Sequence, residues 1–498
     1  MEYNLNPIAR ALGKQPAEFT KADLINYIVS NDIHALNFRY TAADGRLKEL
    51  NFVLQDVDYL DEVLSSGERV DGSSLFPGFM EAGSSDLYVV PIFSSAFLDP
   101  FADEPTISFF CAYMDKDGQP LSIAPDQILR RAAQAFREVT GGLEFHAMGE
   151  LEYYVISPKE EGYEAVDQRG YHEMAPFSKQ IAFRTEAMRL IAQCGGQIKY
   201  GHGEVGNFST EEYNYEQNEI EFLPVNVIDA ADQLVVAKWI IRNMAFQEGY
   251  NVTFAPKITT GKAGSGLHIH MRLVQNGKNL MLENGELSDN AKKAIAGMMD
   301  LAPSLTAFGN KNPTSYFRLV PHQEAPTNIC WGLRNRSALV RVPLGWAKDV
   351  DMSHKANPQQ PMEHYDTSMK QTVEIRNGDG SADLYQLLAG LCVACRHGFE
   401  MPDALEVAEK TFVAVNIHDP KNAAVLEKIN SLPDSCVASA DCLERQRKVY
   451  EEQGIFSAAM IDGIIKELRD YNDKTLRADI ENNPEAQLEL VQRFFHCG

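Results

Sequence analysis

Basic residues are scarce in this sequence, whose 498 residues include 46 lysines and arginines against 70 aspartates and glutamates, a net charge of −24. An acidic surface repels phosphate, so we expect no nucleic acid and no anionic membrane as a partner. Apolar runs stay well short of the roughly 20 residues that a membrane helix needs. The N-terminal residues MEYNLNPIARALGKQ lack a basic region followed by an apolar stretch, so no secretory signal is expected. We therefore predict a cytoplasmic protein.

Cysteines and the common nucleotide-binding motifs are also sparse. Eight cysteines are too few to form a disulfide framework in a chain of this length. Cys392 and Cys395 form a C-x-x-C within the apolar run LLAGLCVACRHGF, and we interpret them as core residues because a second redox motif element is missing. The sequence contains neither G-x-x-x-x-G-K-[ST] nor a strand-linked G-x-G-x-x-G, so nucleotide binding by those two motifs is not supported.

Apolar patterning divides the chain into two parts. Before about residue 120, two β-rich runs flank an Asp44-Gly45 turn and two more extended runs follow, which predicts a small strand-rich domain. Pro125 opens an amphipathic helix, after which strands and helices alternate, and the chain beyond about residue 400 is mostly helical. We predict an α+β fold with an N-terminal domain over residues 1–120 and a larger domain over residues 121–498.

Three predicted strands each carry two ionisable residues on one face. Residues i and i+2 of a strand point in the same direction, and the positions between these residues are apolar. A fourth segment, GHGEVGNFSTEEYNYEQNEIEF, contributes two further glutamates. The three pairs and the two added residues are Glu150 and Glu152, His268 and His270, Glu374 and Arg376, and Glu204 and Glu219.

Carboxylates gathered on one face would repel each other strongly unless cations lay between them. Oxygen ligands with an occasional imidazole suit Mg²⁺ or Mn²⁺ better than Zn²⁺. For a single E-x-E, an amphipathic strand with one wet face is the better interpretation, by about four to one, and a lone H-x-H, although less common, is also more often structural than a ligand pair. The metal hypothesis therefore depends on several pairs meeting in space, which the sequence alone does not establish.

Arginines cluster near the middle of the second part. The segment from residue 318 to 341 contains Arg318, Arg334, Arg336 and Arg341, and guanidinium groups match the geometry of phosphate and carboxylate. The alternative is a solvated surface paired with nearby acids. Arg341 fits that alternative poorly, because a half-buried guanidinium in an apolar strand needs an anionic partner. Arginines for phosphate and carboxylates for divalent cations together suggest phosphoryl transfer from a magnesium–nucleotide complex.

Nine motifs follow one another along the chain, namely VDGSSL (70–75), GELEYY (149–154), HGEV (202–205), QNEIEF (217–222), TFAPK (253–257), GSGLHIH (264–270), RLVPHQEAP (318–326), NRSALVRVP (335–343) and VEIR (373–376). In these motifs and their order the sequence resembles the glutamine synthetase family, most of all the bacterial type I enzymes. The resemblance implies an N-terminal β-grasp domain, a C-terminal catalytic domain, and a homo-oligomer, commonly a dodecamer of two hexameric rings with active sites between subunits.

The resemblance also implies a reaction and the residues that perform it. That family joins glutamate and ammonia, using ATP and two to three Mg²⁺ or Mn²⁺ ions, through γ-glutamyl phosphate to give glutamine, ADP and phosphate. The motifs imply that one metal ion is bound by Glu152, Glu204 and Glu219. They imply that another is bound by Glu150, His268 and Glu374. Arg336 and Arg341 are implied to contact phosphate, and Arg318 and Arg376 are implied to bind the substrate carboxylate or the acyl phosphate. His270 is implied to lie on the nucleotide side, and the backbone at Gly264 is implied to bind glutamate. Asp71 of an adjacent subunit is implied to bind and deprotonate ammonium, and Glu324 to close the site and accept a proton.

Several positions depart from the family pattern without touching a predicted metal ligand. The insert NFSTEEYNY separates Glu204 from Glu219, and no segment resembles the tyrosine-containing adenylylation loop. Two other functions stay open, a γ-glutamyl ligase that uses an organic amine and a catalytically silent scaffold of the same fold. The scaffold ranks lowest because all six predicted ligands are present. The departing residues are Lys199 in place of an acid, Ala263 in place of Asn, Arg272 in place of Ser and Thr372 in place of Arg.

Overall fold

The computed structural model describes residues 4–80, 83, 85–320, 325–345 and 350–498. Over these residues the protein has the predicted α+β fold, with one sheet of six strands and another of ten. No helix in the described ranges combines the length and the hydropathy needed to cross a membrane.

The N-terminal part packs its helices against the six-stranded sheet. Its elements are α1 Pro7–Leu12, α2 Lys21–Ser30, β1 Ala35–Thr41, β2 Leu47–Val53, α3 Val57–Ser66, β3 Glu68–Asp71, α4 Gly72–Leu75, β4 Asp86–Pro91, β5 Phe97–Leu98 and β6 Thr106–Met114. The strand order is β2-β1-β6-β4-β3, with β5 paired to β6. The predicted antiparallel hairpin around Asp44-Gly45 is confirmed as β1 and β2.

A separate apolar core stabilises this part. Leu24 and Ile28 on α2 and Leu60 and Leu64 on α3 are buried against Phe109 of the sheet and its neighbours. Helix α2 begins where Thr20 accepts a hydrogen bond from the backbone N–H of Asp23, the cap expected of a threonine at this position. The division of the chain between residues 120 and 121 stays a prediction.

The second part builds the ten-stranded sheet and most of the helices. Its first elements are α5 Pro125–Val139, β7 Glu144–Pro158, α6 Ile181–Gln193, β8 Ile198–Ser209, β9 Tyr213–Phe222, β10 Val225–Asn226, α7 Val227–Glu248, β11 Asn251–Thr253, β12 Leu267–Gln275, β13 Lys278–Asn279, β14 Leu282–Glu283, β15 Glu286–Leu287 and α8 Asp289–Gly309. The remainder are α9 Ser315–Arg318, β16 Trp331–Leu333, β17 Val340–Val342, α10 Met352–Ala356, β18 Val373–Ile375, α11 Leu384–Glu400, α12 Ala404–Thr411, α13 Ala423–Leu426, α14 Cys436–Glu451, α15 Ala458–Asp470, α16 Leu476–Ile480 and α17 Pro484–Phe494.

The large sheet has one apolar face and one polar face at its centre. Its strand order is β16-β17-β18-β12-β7-β9-β8, and β7 is antiparallel to both of its central neighbours. Leu151 and Tyr153 of β7 are buried in the main core with residues of α5, α7, α8 and α11. Cys392 and Cys395 lie buried in the same core, as the sequence predicts. With one face covered by helices, the intervening charged residues of β7 are left facing the other side.

Candidate active site

The charged faces of the predicted strands meet at the centre of the large sheet. Pairing between β7 and β12 sets Glu150 opposite His268, and pairing between β7 and β9 sets Glu152 opposite Glu219. Strand β18 continues the row, because Glu374 lies opposite His270. Residues that face each other across antiparallel strands have Cβ atoms about 5 Å apart, so this register brings distant parts of the sequence together.

A cavity of about 1570 Å³ opens over this row of residues. The strands of the sheet form its floor, and the segments around residues 261–264 and 334–344 form parts of its wall. It is lined by all twelve residues that the resemblance assigns to metal, phosphate, nucleotide or substrate binding, namely Glu150, Glu152, Glu204, Glu219, Gly264, His268, His270, Arg318, Arg336, Arg341, Glu374 and Arg376.

Glu150 lies between two imidazoles. Its Oε2 is 2.8 Å from Nδ1 of His268 and its Oε1 is 2.9 Å from Nε2 of His270. Burial opposes ionisation of Glu150, but the two histidines hold its pKa well below the ordinary value. Glu150 is therefore an anion that offers oxygen lone pairs to the cavity.

Glu374 is almost completely buried and is paired with two arginines. Its Oε2 accepts a hydrogen bond from Arg341 at 2.8 Å, and its Oε1 accepts one from Nε of Arg376 at 3.0 Å. The anionic partner that Arg341 was expected to need is thus confirmed. The Nε of Arg341 is buried with no hydrogen-bond partner among the described residues.

A second group of acids lies beside the first, toward the edge strand β8. Nε2 of His202 is 3.1 Å from Oε1 of Glu219, and Nδ1 of His202 is 3.9 Å from Oε1 of Glu204. Glu152 Oε2 accepts hydrogen bonds from Gly266 N at 2.7 Å and Gln217 Nε2 at 3.0 Å. Burial, together with repulsion from the neighbouring glutamates, raises the pKa of Glu219 well above its ordinary value.

The donor atoms of these residues fit divalent cations. In three groups the nitrogen and oxygen atoms lie within 4.8 Å of one another, and carboxylates crowded in this way lose their mutual repulsion when a cation lies between them. The groups are Glu150, His268 and Glu374; Glu150, Glu221 and His270; and His202, Glu204 and Glu219.

His202 and Glu221 are missing from the sequence-based assignment. Glu221 lies opposite Glu150 in the sheet, and its Oε1 accepts a hydrogen bond from Lys199 Nζ at 2.6 Å. Both residues follow the i, i+2 spacing of the other three strands, since His202 precedes Glu204 by two positions and Glu221 follows Glu219 by two. Applying the i, i+2 rule to this fourth segment would have found them.

The remaining predicted binding residues take three different positions. Arg318 is buried and donates to the backbone carbonyl of Asn377 at 2.9 Å and to that of Gly378 at 3.2 Å. Arg336 is exposed at the cavity wall. The carbonyl of Gly264 accepts a hydrogen bond from Gln217 at 2.9 Å, which fixes this loop beside Glu152.

Asp71, a predicted catalytic residue, does not line this cavity. Asp71 lies in the N-terminal part as the cap of α4, exposed, and its carboxylate accepts hydrogen bonds from the hydroxyls of Ser73 and Ser74 at 2.7 Å each. Those hydrogen bonds, with that of Ser74 first, hold the pKa of Asp71 well below its ordinary value. Glu324 lies outside the described residues.

The departing residues make specific contacts of their own. Thr372 Oγ1 is 2.8 Å from Nδ1 of His270. Arg272 donates to the carbonyl of Met369 at 2.6 Å and to that of Pro224 at 3.1 Å, and it lines the cavity. The insert forms the outer end of the hairpin of β8 and β9, where the rings of Phe208 and Tyr215 stack at 4.4 Å.

The family models identify the chain. The model of the glutamine synthetase beta-Grasp domain matches residues 32–116, and that of the glutamine synthetase catalytic domain matches residues 122–483. The chain therefore belongs to the glutamine synthetase family, a family of ligases that use ATP and divalent metals.

Individual relatives are distant and do not share one reaction. The chain is 28% identical to the glutamine synthetase of Frankia alni over 482 residues, which cover 89% of this chain and 94% of the relative. It is equally 28% identical, over 481 residues and with the same coverage, to the 3-hydroxylaminophenol mutase of Cupriavidus pinatubonensis. The solved glutamine synthetase of Plasmodium falciparum shares the fold, with a TM-score of 0.74 at 19% identity over 93% of this chain and 99% of that one.

Proposed function

We propose that this protein is an ATP-dependent glutamate–ammonia ligase, which forms glutamine, ADP and phosphate through γ-glutamyl phosphate. The observation that carries the proposal is the meeting of three carboxylate–imidazole groups and several arginines in one cavity of a glutamine synthetase-family chain. Such a site places cations and guanidinium groups around a phosphoryl group that moves between two oxygen atoms.

The acids of the sheet would hold the divalent cations. By family motif, Glu150, His268 and Glu374 take one ion, and Glu152, Glu204 and Glu219 take another. Bound Mg²⁺ or Mn²⁺ neutralises phosphate charge and polarises the γ-phosphoryl group for attack. His202 adds an imidazole to the second group, because its Nε2 is 3.1 Å from Glu219.

The arginines would take the oxygens of the phosphoryl group and of the substrate. Arg341 and Arg376 have N–H donors beyond those bonded to Glu374, and Arg336 is exposed on the same cavity wall. Guanidinium donors placed where charge develops lower the barrier to phosphoryl transfer. Arg318 supports the substrate side, where the backbone of Gly264 would meet glutamate.

Ammonia would be handled by Asp71 and Glu324. Asp71 is an anion at neutral pH, which suits the binding of ammonium. Since it lies in the N-terminal part, we assign this role to Asp71 of a neighbouring copy in a homo-oligomer, a dodecamer of two hexameric rings in the cytoplasm. Glu324 is assigned as the base that accepts the ammonium proton.

An organic amine is the second candidate for the acceptor. The observation that favours it is the set of departures at the cavity, where Ala263, Arg272 and Thr372 replace the usual residues of glutamate and nucleotide binding. Thr372 contacts His270 of one metal group, but the six metal ligands that the family motifs imply are all present, so a change of acceptor would leave phosphoryl transfer intact.

Phosphate release with glutamate, ATP and Mg²⁺ tests both candidates when ammonium is compared with a panel of organic amines. Ammonium as the best acceptor, with glutamine detected, supports the first proposal. A preferred amine, with its γ-glutamyl amide detected, replaces it with the second. No phosphate release with any acceptor, in protein that binds ATP and metal, refutes both and favours a scaffold.

Asp71→Asn separates the steps of the reaction. It should reduce amine transfer more than γ-glutamyl phosphate formation, because the role of Asp71 concerns ammonium. Equal loss of both partial reactions would contradict that role.

A further inference from the structure

Residues 166–172, here called the strap, lie along the outer edge of β8. They follow the end of β7 and have no periodic apolar pattern of their own. Their backbone nonetheless continues the sheet, because alternate N–H groups of the strap donate to alternate carbonyls of β8 in antiparallel order. The three pairs are Gln168 with Asn207 at 2.9 Å, Gly170 with Val205 at 3.3 Å and His172 with Gly203 at 2.9 Å.

The strap is closely fitted to the second metal group. A Cβ placed on Gly170 would come within 2.5 Å of the carbonyl oxygen of Glu204, so only glycine allows this approach. Gln168 and His172 both have a φ of +56°, in the left-handed region that non-glycine residues seldom adopt. The strained residues flank the point of closest approach to Glu204, which is where strain at functional sites is expected.

The side chain of Gln168 joins the strap to the loop of residues 262–265, here called the substrate loop. Its Oε1 accepts a hydrogen bond from the backbone N–H of Ala263 at 2.7 Å, and its Nε2 donates to the carbonyl of Asn207 at 3.0 Å. An ion pair between Lys262 and Asp167 adds a second connection between the two segments.

The substrate loop is also held from the side of the sheet. The hydroxyl of Tyr154 donates to the carbonyl of Ala263 at 2.8 Å. Gln217 donates to the carbonyl of Gly264 at 2.9 Å and to Glu152 Oε2 at 3.0 Å. On the sheet side, the Ala263–Gly264 backbone is therefore hydrogen-bonded to Tyr154 and to Gln217, and Gln217 also contacts the predicted metal ligand Glu152. On the strap side, the same backbone is hydrogen-bonded to Gln168.

We propose that Gln168 is a positioning residue that sets the Ala263–Gly264 backbone for an amino-acid substrate. The alanine side chain at 263 has no hydrogen-bonding atom, so the position of this backbone must come from other segments, and Gln168 supplies an acceptor for the Ala263 N–H. This inference rests on the proposed function for the identity of the substrate. The contact itself exists whatever the substrate is.

Three variants separate the two bonds of Gln168. Gln168→Met has a side chain of similar length and removes both hydrogen bonds, whereas Gln168→Glu keeps the acceptor for Ala263 and loses only the donor to Asn207. Arg169→Ala is the matched control, because Arg169 is the next residue of the strap and has an exposed side chain.

Steady-state kinetics of the full-length enzyme give the first readout. Loss of one hydrogen bond of about 1 to 1.5 kcal/mol corresponds to a rise of about 5- to 15-fold in KM for glutamate in Gln168→Met. We expect kcat and KM for ATP to change less than about twofold, and Gln168→Glu and Arg169→Ala to stay near the parent. A fall in kcat with equal changes in both KM values would instead indicate a structural role and overturn the proposal.

Hydrogen–deuterium exchange at the amide of Ala263 gives a readout that needs no turnover. Removing its acceptor in Gln168→Met should speed exchange at Ala263 about tenfold, with Gln168→Glu and Arg169→Ala close to the parent. Unchanged exchange in Gln168→Met refutes the positioning role. If the parent does not turn over glutamate but the exchange result holds, the proposed function fails while the positioning of this loop by Gln168 stands.

Discussion

Both sheets contain buried charge, and they compensate it differently. In the N-terminal sheet, Arg39 is only 3% exposed, forms ion pairs with Asp99 and with Glu49 at 3.1 Å, and stacks on the ring of Trp239 at 4.1 Å. In the large sheet, Glu219 is 6% exposed and is crowded by other glutamates, with the imidazole of His202 3.1 Å from its Oε1. A buried charge is stable when opposite charges and hydrogen bonds surround it, which describes Arg39 in the first sheet and Glu374 in the second, but not Glu219.

The difference distinguishes structural charge from functional charge. Arg39 joins β1 of the N-terminal part to α7 of the second part, and its partners all belong to this chain. The excess acid around Glu219 is balanced when a ligand brings positive charge. A carboxylate beside a cation of the same chain, such as Asp99, is therefore structural. A carboxylate crowded by other carboxylates, such as Glu219, indicates a binding site for a positively charged ligand.

Glu150→Ala should cause the largest effect, because Glu150 belongs to two of the three ligand groups. We expect metal-dependent turnover to fall at least about a hundredfold, the cost of removing a charge-stabilising group from a site of this kind. Calorimetric titration with Mn²⁺ should show weakened binding in the same variant. Glu211→Ala, an exposed carboxylate at the end of the same sheet's hairpin, is the control. Near-normal turnover of Glu150→Ala would contradict the assignment of Glu150 as a metal ligand that the reaction needs.

Arg39→Met should affect stability and spare catalysis. It leaves Asp99 buried without its cation, which costs about 3 to 5 kcal/mol of unfolding free energy. Denaturant titration measures the loss, and turnover per folded molecule should stay within about twofold of the parent. The double variant Arg39→Met/Asp99→Asn should recover at least half of the loss. A large loss of turnover in fully folded Arg39→Met would contradict the structural role.

Local sequence patterns predict the strands and their charged faces, but the partner of each charge depends on register. The spacing of Glu150 and Glu152 predicts which face of β7 is polar. It does not tell that Glu150 meets His268 on one side and Glu221 on the other. The family resemblance predicted some of these partners, since it grouped Glu150 with His268 and Glu374.

Features without periodicity could not be predicted. The pairing of β8 with β9 shifts between Gly203 and Asn207, so the residue that lies opposite Glu204 on β9 does not follow from the sequence spacing. The strap is a loop in sequence, and Gln168 meets Ala263 across 95 residues of chain. No local pattern encodes a contact of this kind, because it depends on how two loops fold over the same edge.

Asp232 on α7 is a carboxylate that the fold stabilises in its protonated form. Burial, with smaller repulsion from Asp229 and Asp126, raises its pKa to about 7, and Tyr385 donates a hydrogen bond to it at 2.5 Å. The unfolded chain releases this proton near its ordinary pKa of 3.8, so the stability gained from protonation is lost as the pH rises from about 4 to about 7.

Asp232→Asn should remove this pH dependence. Relative to the parent, the variant should gain stability at pH 8 compared with pH 4, by about 1 to 2 kcal/mol and at most about 4 kcal/mol for a shift of this size. Denaturant titrations at both pH values measure the difference. Asp103→Asn is the control, because Asp103 is exposed and substitutions of exposed residues usually change stability little. An equal change at both pH values in Asp232→Asn would show that Asp232 ionises normally in the fold.

Glu219→Gln is the smallest change and the sharpest test of the comparison, because the expected sign depends on metal. Without metal, removing one of several crowded carboxylates relieves repulsion, so unfolding free energy should rise by about 1 kcal/mol, a typical value for a single altered charge. With saturating Mn²⁺ the parent should be the more stable, since it binds the ion more tightly and ligand binding to the folded state adds stability. Denaturant titration in chelator and in Mn²⁺ gives both values. A variant less stable than the parent in chelator would mean that Glu219, like Asp99, is compensated within the chain, and the distinction between the two sheets would fail.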